Sequence, residues 1–158
     1  MDLNALEEIR AVKYRYLRAL DLKRWDEFGD TLTEDATGDY GSPSGGRPLQ
    51  FTGRAAIVDY MRGTLDRNII TVHVSSHPEI VVDGENATGS WCMEDTVIVP
   101  EFDVAIRGAA YYQDRYRKTD GQWRIAHTGY ERLYEATMSL SALPGFTLTA
   151  NHWAPAAS

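Results

Sequence analysis

The sequence predicts an α+β domain in which helices come first and a sheet follows. Three observations carry that expectation. Apolar residues recur at helical spacing up to about residue 65, strand-like runs alternate with turns from residue 69 onward, and a breaker-dense stretch at 41–48 interrupts the helical half.

Leu6, Ile9, Val12, Tyr16, Leu17, Ala19 and Leu20 fall on one arc at about 100° per residue, which predicts a helix over 3–23. Asn4 is its expected cap, with Glu7 three residues on in a capping-box-like arrangement. Trp25, Phe28 and Leu32 suggest a short second helix over 25–32, and 36–40 reads as a brief strand. Residues 41–48, with three glycines and two prolines, form an exposed loop suited to act as a pocket lid. Thr52 is placed to cap a third helix over 54–66, whose apolar face is Ile57, Tyr60, Met61 and Leu65.

The second half contains strand-like runs at 69–83, 87–99, 104–118 and 122–134, with turns at Asp83-Gly84-Glu85-Asn86 and Asp120-Gly121. This is an antiparallel meander. Pro78 lacks an amide donor and marks a bulge or an edge in the first run, helping the sheet to bend. A curved sheet closing over helices makes a cone. The chain therefore divides into one domain, 1–135, and a tail, 136–158, whose Leu140, Leu143, Phe146, Leu148 and Trp153 are expected to cover the mouth of the cone or a neighbouring subunit.

A length of 158 residues suits one domain with a sizeable core. With 43% hydrophobic and 25% charged residues, the composition is that of an ordinary globular chain. Sixteen basic residues against 23 acidic ones give a net charge of −7, a field that repels a phosphate backbone and argues against nucleic acid as a partner. The first residues have neither the basic start nor the apolar run of a secretory signal, and no apolar stretch is long enough to span a bilayer. The single cysteine, Cys92, has no internal disulfide partner and is expected as inert filler buried in a strand. Together these features predict a cytoplasmic protein.

Asp21 projects about 40° beyond Leu17 on the helical wheel, where a carboxylate can reach an enclosed cavity or end in solvent. Tyr16 lies near the centre of the apolar stripe, so its hydroxyl is buried and needs a partner; Tyr14, close to Asp21 on the wheel, is the alternative phenol. His73 lies between Val72 and Val74, so its ring occupies the other strand face, turned toward something wet or reactive. A neutral imidazole can take a proton from carbon beside a carbonyl, while a carboxylate accepts the other ring N–H and fixes the tautomer. His77 would suggest a metal if His73 and His77 shared a helix face, but Pro78 and the valines predict a strand, so no metal is expected. Trp91, Met93 and Asp95 share a strand face, which sets the Asp95 carboxylate among large apolar groups and calls for a proton or a cationic partner such as Arg132. Tyr111, Tyr112, Tyr116, Tyr130 and Tyr134 suffice to wall an aromatic pocket, though strands hold many tyrosines as ordinary residues. Without a glycine-rich phosphate loop, a nucleophile elbow or paired metal-binding cysteines, no cofactor is expected.

Four segments together resemble the SnoaL-like branch of the nuclear transport factor 2-like superfamily. They are Tyr16-Leu-Arg-Ala-Leu-Asp21 with Trp25-Asp26, then Thr71-Val-His73, Gly89-Ser-Trp91 through Glu94-Asp95, and Asp120-Gly-Gln-Trp123-Arg-Ile125-Ala-His127-Thr-Gly-Tyr130-Glu-Arg132. The resemblance covers roughly 3–135 and implies a cone-shaped α+β barrel, three N-terminal helices packed on a strongly curved antiparallel or mixed sheet with a cavity between them. Members include dehydratases, a dehydrochlorinase, isomerases, cyclases and non-catalytic proteins, so the fold leaves function open. A bile acid dehydratase-like pattern falls on Tyr16, Asp21, His73, Asp95 and Arg132; the dehydrochlorinase pairing implies His73 as the base. The scytalone dehydratase pattern has a second cavity histidine with no counterpart near Asp95, and the dehydrochlorinase's late arginine falls near Thr128.

The resemblance implies a cofactor-independent lyase, a dehydratase or eliminase, acting on a hydrophobic cyclic molecule that bears a carbonyl. His73 removes a proton, Asp21 orients it, Tyr16 donates to an oxygen, and Asp95 with Arg132 positions the far end, with Trp91, Tyr14 and Tyr130 as further pocket residues. Isomerisation or ring closure begins with the same proton removal, and a non-catalytic binder of small hydrophobic molecules is the alternative of another class. A homo-oligomer is expected, because a sheet face and the apolar tail need cover; related dehydratases suggest a trimer and related isomerases a dimer.

Overall fold

In the computed structural model, which describes residues 2–41, 49–65 and 68–154, the first apolar stripe forms helix α1 (Leu3–Asp21) with Ile9, Tyr16, Leu17 and Leu20 buried. Its cap is Asp2, not Asn4: the Asp2 carboxylate accepts from the amide of Ala5 at 3.0 Å, and Asn4 already lies inside the first turn. The helix ends in a Schellman pattern. Lys23 adopts φ 54°, Arg24 N–H reaches Ala19 O at 2.8 Å and Lys23 N–H reaches Leu20 O at 3.1 Å. That turn stops the helix at Asp21 and leaves its carboxylate on the last helical residue.

Helix α2 (Trp25–Asp30) is shorter than expected and packs Phe28 against Tyr16, ring centroids 4.8 Å apart. Leu32 does not belong to it. Fully buried, it opens strand β1 (Leu32–Tyr40), and its carbonyl is clamped by the Arg54 guanidinium at 2.7 and 3.1 Å. A short strand that the periodicity did not reveal, β2 (Leu49–Thr52), pairs with β1, and Gly53 at φ 95° turns the chain into α3 (Arg54–Leu65). The expected lid at 42–48 and residue 66 of the third helix lie outside the described residues.

The four remaining strands are β3 (Ile70–Asp83), β4 (Asn86–Val99), β5 (Val104–Thr119) and β6 (Gln122–Ser139), with a single 3-10 turn at Pro100–Phe102 between β4 and β5. They form one mixed, curved, unclosed sheet in the order β2-β1-β6-β5-β4-β3, antiparallel except where β1 runs parallel to β6. The three helices pack on this sheet. Pro78 marks both a bulge and an edge: β3 is the outermost strand, its register slips between Ser76 and Glu79, and His77 takes φ 50°. The Asp120-Gly121 turn has φ of 53° and 74°, the pair of left-handed residues that a two-residue hairpin of matching twist requires.

Strand β6 extends to Ser139, paired with Val104, so the first four residues beyond 135 continue the sheet. The chain then returns to the helical side, where Trp153 lies 4.7 Å from Lys23 Nζ and Asn151 donates to Asn68. Cys92 is not in the core. It sits half-buried on the outer sheet face opposite Tyr111, because β4 alternates and Trp91 and Met93 take the inner side. No helix among the described residues is long and apolar enough to cross a membrane.

Asp2→Ala should lower stability by about 1 kcal/mol through loss of the helix cap, whereas Asn4→Ala, at an exposed position, should stay within about 0.5 kcal/mol of the parent; chemical denaturation of both variants measures the difference.

Candidate active site

The last residue of α1 reaches the free edge of β3. Asp21 Oδ2 accepts the backbone N–H of His73 at 2.8 Å, and Oδ1 accepts the Thr71 hydroxyl at 2.8 Å and lies 2.7 Å from His73 Nδ1. An ionised carboxylate only accepts, so His73 Nδ1 carries a proton, and in a neutral ring Nε2 is the nitrogen with the lone pair. The two side chains are mostly enclosed, 11% exposed for His73 and 18% for Asp21. The flanking valines are the exposed ones: Val72 and Val74 face outward at 51% and 57% while the histidine faces inward, because the inner side of this edge strand opens on a cavity.

That cavity has a volume of about 340 Å³. Leu20 of α1, Tyr60, Met61 and Leu65 of α3 and Val97 of β4 supply its apolar wall; Tyr40, Tyr112 and Tyr130 supply phenols; Thr64, Thr71, His73, Asp95 and Arg132 supply further polar groups. Sheet register explains the convergence. His73 pairs with Asp95 across β3 and β4, Asp95 pairs with Gly108 on β5, and residues opposite one another project to the same face. Arg132 Nη1 and Nη2 grip the two Asp95 oxygens, the second at 3.0 Å, and Nη2 also lies 3.3 Å from Glu135. Gly108 makes room for this fork, since a Cβ there would stand 2.5 Å from Arg132 Nη1. Burial would draw the Arg132 proton off more easily, but the hydrogen bonds and charge of Asp95 outweigh it and raise the pKa. The Tyr130 ring lies under the guanidinium, 5.0 Å from centroid to Cζ, and meets Tyr112 edge-on at 5.3 Å.

The structure brings His73, Asp21, Asp95, Arg132 and Tyr130 together at this cavity, with Asp21 behind His73. Three other expected residues lie elsewhere. Tyr16 is fully buried and does not line the cavity; its hydroxyl meets that of Tyr40 at 2.7 Å, and Tyr40 is the phenol on the wall. Tyr14, 50% exposed, borders a separate surface groove with Arg15 and Trp123, because the turn of α1 points it away from the sheet interior. Trp91 faces inward but is sealed below the cavity, its indole N–H donating to Tyr116 at 2.9 Å. Of the five late tyrosines, Tyr112, Tyr116 and Tyr130 occupy the inner face, whereas Tyr111 and Tyr134 face outward at 42% and 49% exposure. His77, exposed on the bulge, hydrogen-bonds the neighbouring Ser76 hydroxyl at 2.9 Å. Among the described residues no three His, Cys, Asp or Glu side chains converge as a metal site.

Sequence reasoning missed Tyr40, Tyr60 and Thr71 on the wall, and also a buried ion pair, Lys13 with Asp114, Nζ to Oδ2 2.8 Å and neither side chain exposed. A signal for it was present. Lys13 falls four residues from Ile9 and from Leu17, inside the apolar stripe, and Asp114 shares strand parity with Tyr112 and Tyr116. Removing either partner alone would strand the other and cost about 3–5 kcal/mol.

A model of the SnoaL-like domain matches residues 1–129, and the chain belongs to that family. A Mycobacterium tuberculosis protein of unknown function is 26% identical, with 81% of this chain and 71% of that one covered and a TM-score of 0.69. A putative scytalone dehydratase from Novosphingobium aromaticivorans is 21% identical over 95% and 93% of the two chains, TM-score 0.74. A hexachlorocyclohexane dehydrochlorinase, LinA-type3 from Novosphingobium barchaimii, is 16% identical over 94% and 96%, TM-score 0.75. At these last two identities the likeness is one of fold.

Burial holds the ionisation of Tyr16, Tyr40, Tyr112 and Tyr116 above the usual phenol value of 10.0. The stability this contributes is fully present below pH 10.0 and is lost as pH rises through the raised values. In an alkaline titration followed by tyrosinate absorbance and circular dichroism, these four of the nine tyrosines should ionise together with unfolding; their ionisation near pH 10 in an intact fold would contradict the assignment.

Proposed function

We propose that this protein is a cofactor-independent lyase that eliminates water or another leaving group from a mostly apolar, cyclic substrate bearing a carbonyl. The observation that carries the reading is the 2.7 Å contact between His73 Nδ1 and Asp21 at the wall of a cavity. His73 Nε2 takes a proton from carbon, and Asp21 holds the ring and stabilises the imidazolium that forms. Tyr40, with Tyr16 hydrogen-bonded behind it, donates to the departing oxygen or to the carbonyl. The Asp95–Arg132 pair, rigid because two guanidinium nitrogens hold two oxygens, orients the far end of the substrate. A volume of about 340 Å³ falls in the range of small-molecule sites. Elimination is the reaction named for two proteins that share this fold, a putative scytalone dehydratase and a hexachlorocyclohexane dehydrochlorinase, and it is the first to test here. The lone thiol of Cys92 fits a reducing cytoplasm.

A panel of cyclic β-hydroxy ketones and halogenated cyclohexanes, assayed for release of water or halide and for the unsaturated product, tests the reading. His73→Ala should lower the elimination rate by about 10²- to 10⁴-fold, and Asp21→Asn should lower it through the wrong tautomer with the fold retained. Full activity of His73→Ala removes the proposed base; product with a shifted double bond and no released group makes the protein an isomerase instead.

We further propose that the protein self-associates through its outer sheet face. Val72 and Val74 of β3, Tyr111 of β5 and Tyr134 of β6 are exposed there, and the register places them on neighbouring strands of the same side. Light scattering should give a dimer or trimer mass, and Val74→Lys should lower it.

A further inference from the structure

Behind the cavity stands a buried ion pair that the scheme above leaves without a task. Lys13 Nζ lies 2.8 Å from Asp114 Oδ2, and that oxygen also accepts the Tyr116 hydroxyl at 2.8 Å. Withdrawing two charges from water is costly, and apolar residues of similar volume often serve a fold as well or better. A leucine between Ile9 and Leu17 would fill the stripe of α1. What the pair supplies instead is a cation held 3.3 Å from the centroid of the Tyr112 ring. Burial lowers the Lys13 pKa, and the charge and hydrogen bond of Asp114 oppose that lowering.

Tyr112 is a wall residue of the cavity, only 2% exposed. Its hydroxyl has no hydrogen-bond partner among the described residues, in contrast to Tyr40, engaged by Tyr16, and Tyr116, engaged by Asp114 and Trp91. The sealed, unpartnered atoms of the core do not include this oxygen, so it stays open to a ligand in the cavity it lines. Burial keeps this phenol protonated, so the hydroxyl has a proton to donate. A cation against the face of the ring favours negative character on the ring and its oxygen. A phenol so backed is a better donor to an oxygen that is itself becoming negative, as a carbonyl does when a proton leaves the adjacent carbon.

We propose that Tyr112 is a further substrate-binding donor, hydrogen-bonding the substrate oxygen that gains charge, and that Lys13, clamped by Asp114, is the positioning residue that acts through the Tyr112 ring. The proposal rests on the reading of the cavity as the reactive site. The Asp95–Arg132 pair is then left to orientation, and the oxyanion is met from β5.

The 4-nitrophenolate ion, whose absorption band moves when its oxygen accepts a hydrogen bond, serves as the probe. Titrated into the wild-type protein, it should bind with a shifted band. Tyr112→Phe should abolish the shift and weaken binding by about 10-fold or more, the worth of a hydrogen bond to a charged acceptor. Lys13→Met combined with Asp114→Asn removes both charges and keeps an acceptor for the Tyr116 hydroxyl. This double variant should melt at the same temperature or higher, bind about 3- to 10-fold more weakly, and move the band toward its position in Tyr112→Phe. In the Tyr112→Phe background the same double change should have no effect on the probe, because Lys13 acts through that hydroxyl. A band unchanged by the double variant, an equal effect in the Tyr112→Phe background, or no binding to the wild type overturns the inference. The rate of His73→Ala, measured separately, decides the reading of the cavity itself.

Discussion

The capture of the β3 edge by Asp21 is the interaction on which the site depends. An edge strand presents unpaired N–H groups, and proteins must cover them or leave them to pair elsewhere. Here one carboxylate at the end of α1 takes three donors from two residues of that edge, the Thr71 hydroxyl and the main-chain and ring N–H groups of His73. Fixing the strand and fixing the imidazole are therefore one event. The Schellman turn at Lys23 is part of it, for it ends the helix where Asp21 can reach, and Lys23 Nζ then bonds the carbonyls of Leu65 and Ile69 that lead into β3.

From that anchor the sheet register carries polarity inward. His73, Asp95 and Gly108 lie side by side on three strands, and the absent side chain at Gly108 is what admits the Arg132 guanidinium from β6. The result is a cavity in which charged groups are already paired while phenols and an imidazole lone pair remain to meet a ligand. Paired charges hold their geometry; in the proposed reaction the free donors and acceptors would meet the substrate.

Among the described residues two ion pairs are buried, and buried pairs seldom add stability over apolar residues of similar volume. Asp95–Arg132 is on the wall against the Tyr130 ring, and Lys13–Asp114 stands one layer behind it against the Tyr112 ring. The relatives in solved structures, at 26% identity and below, share the architecture that positions such groups; chemistry belongs to the side chains placed upon it.

Periodicity in the chain was enough to determine the order of the three helices and of every strand but β2, an irregularity or edge at Pro78 and the inward face of β4, because each depends on residues close in sequence. Asp21 and His73 could be singled out for the same reason, one at the edge of a helical stripe and the other out of phase with two valines. Their contact, 52 residues apart along the chain, exists only once α1 is laid against β3. Tertiary structure alone decided the rest. Tyr40 rather than Tyr16 reaches the cavity, because the centre of a buried stripe packs into the core while a strand end can face a void. Tyr14 and Trp91 fall outside it, β2 appears only through its pairing with β1, and Lys13 finds Asp114 101 positions away. Local spacing states which face a residue takes; what stands opposite that face is a property of the assembled layers.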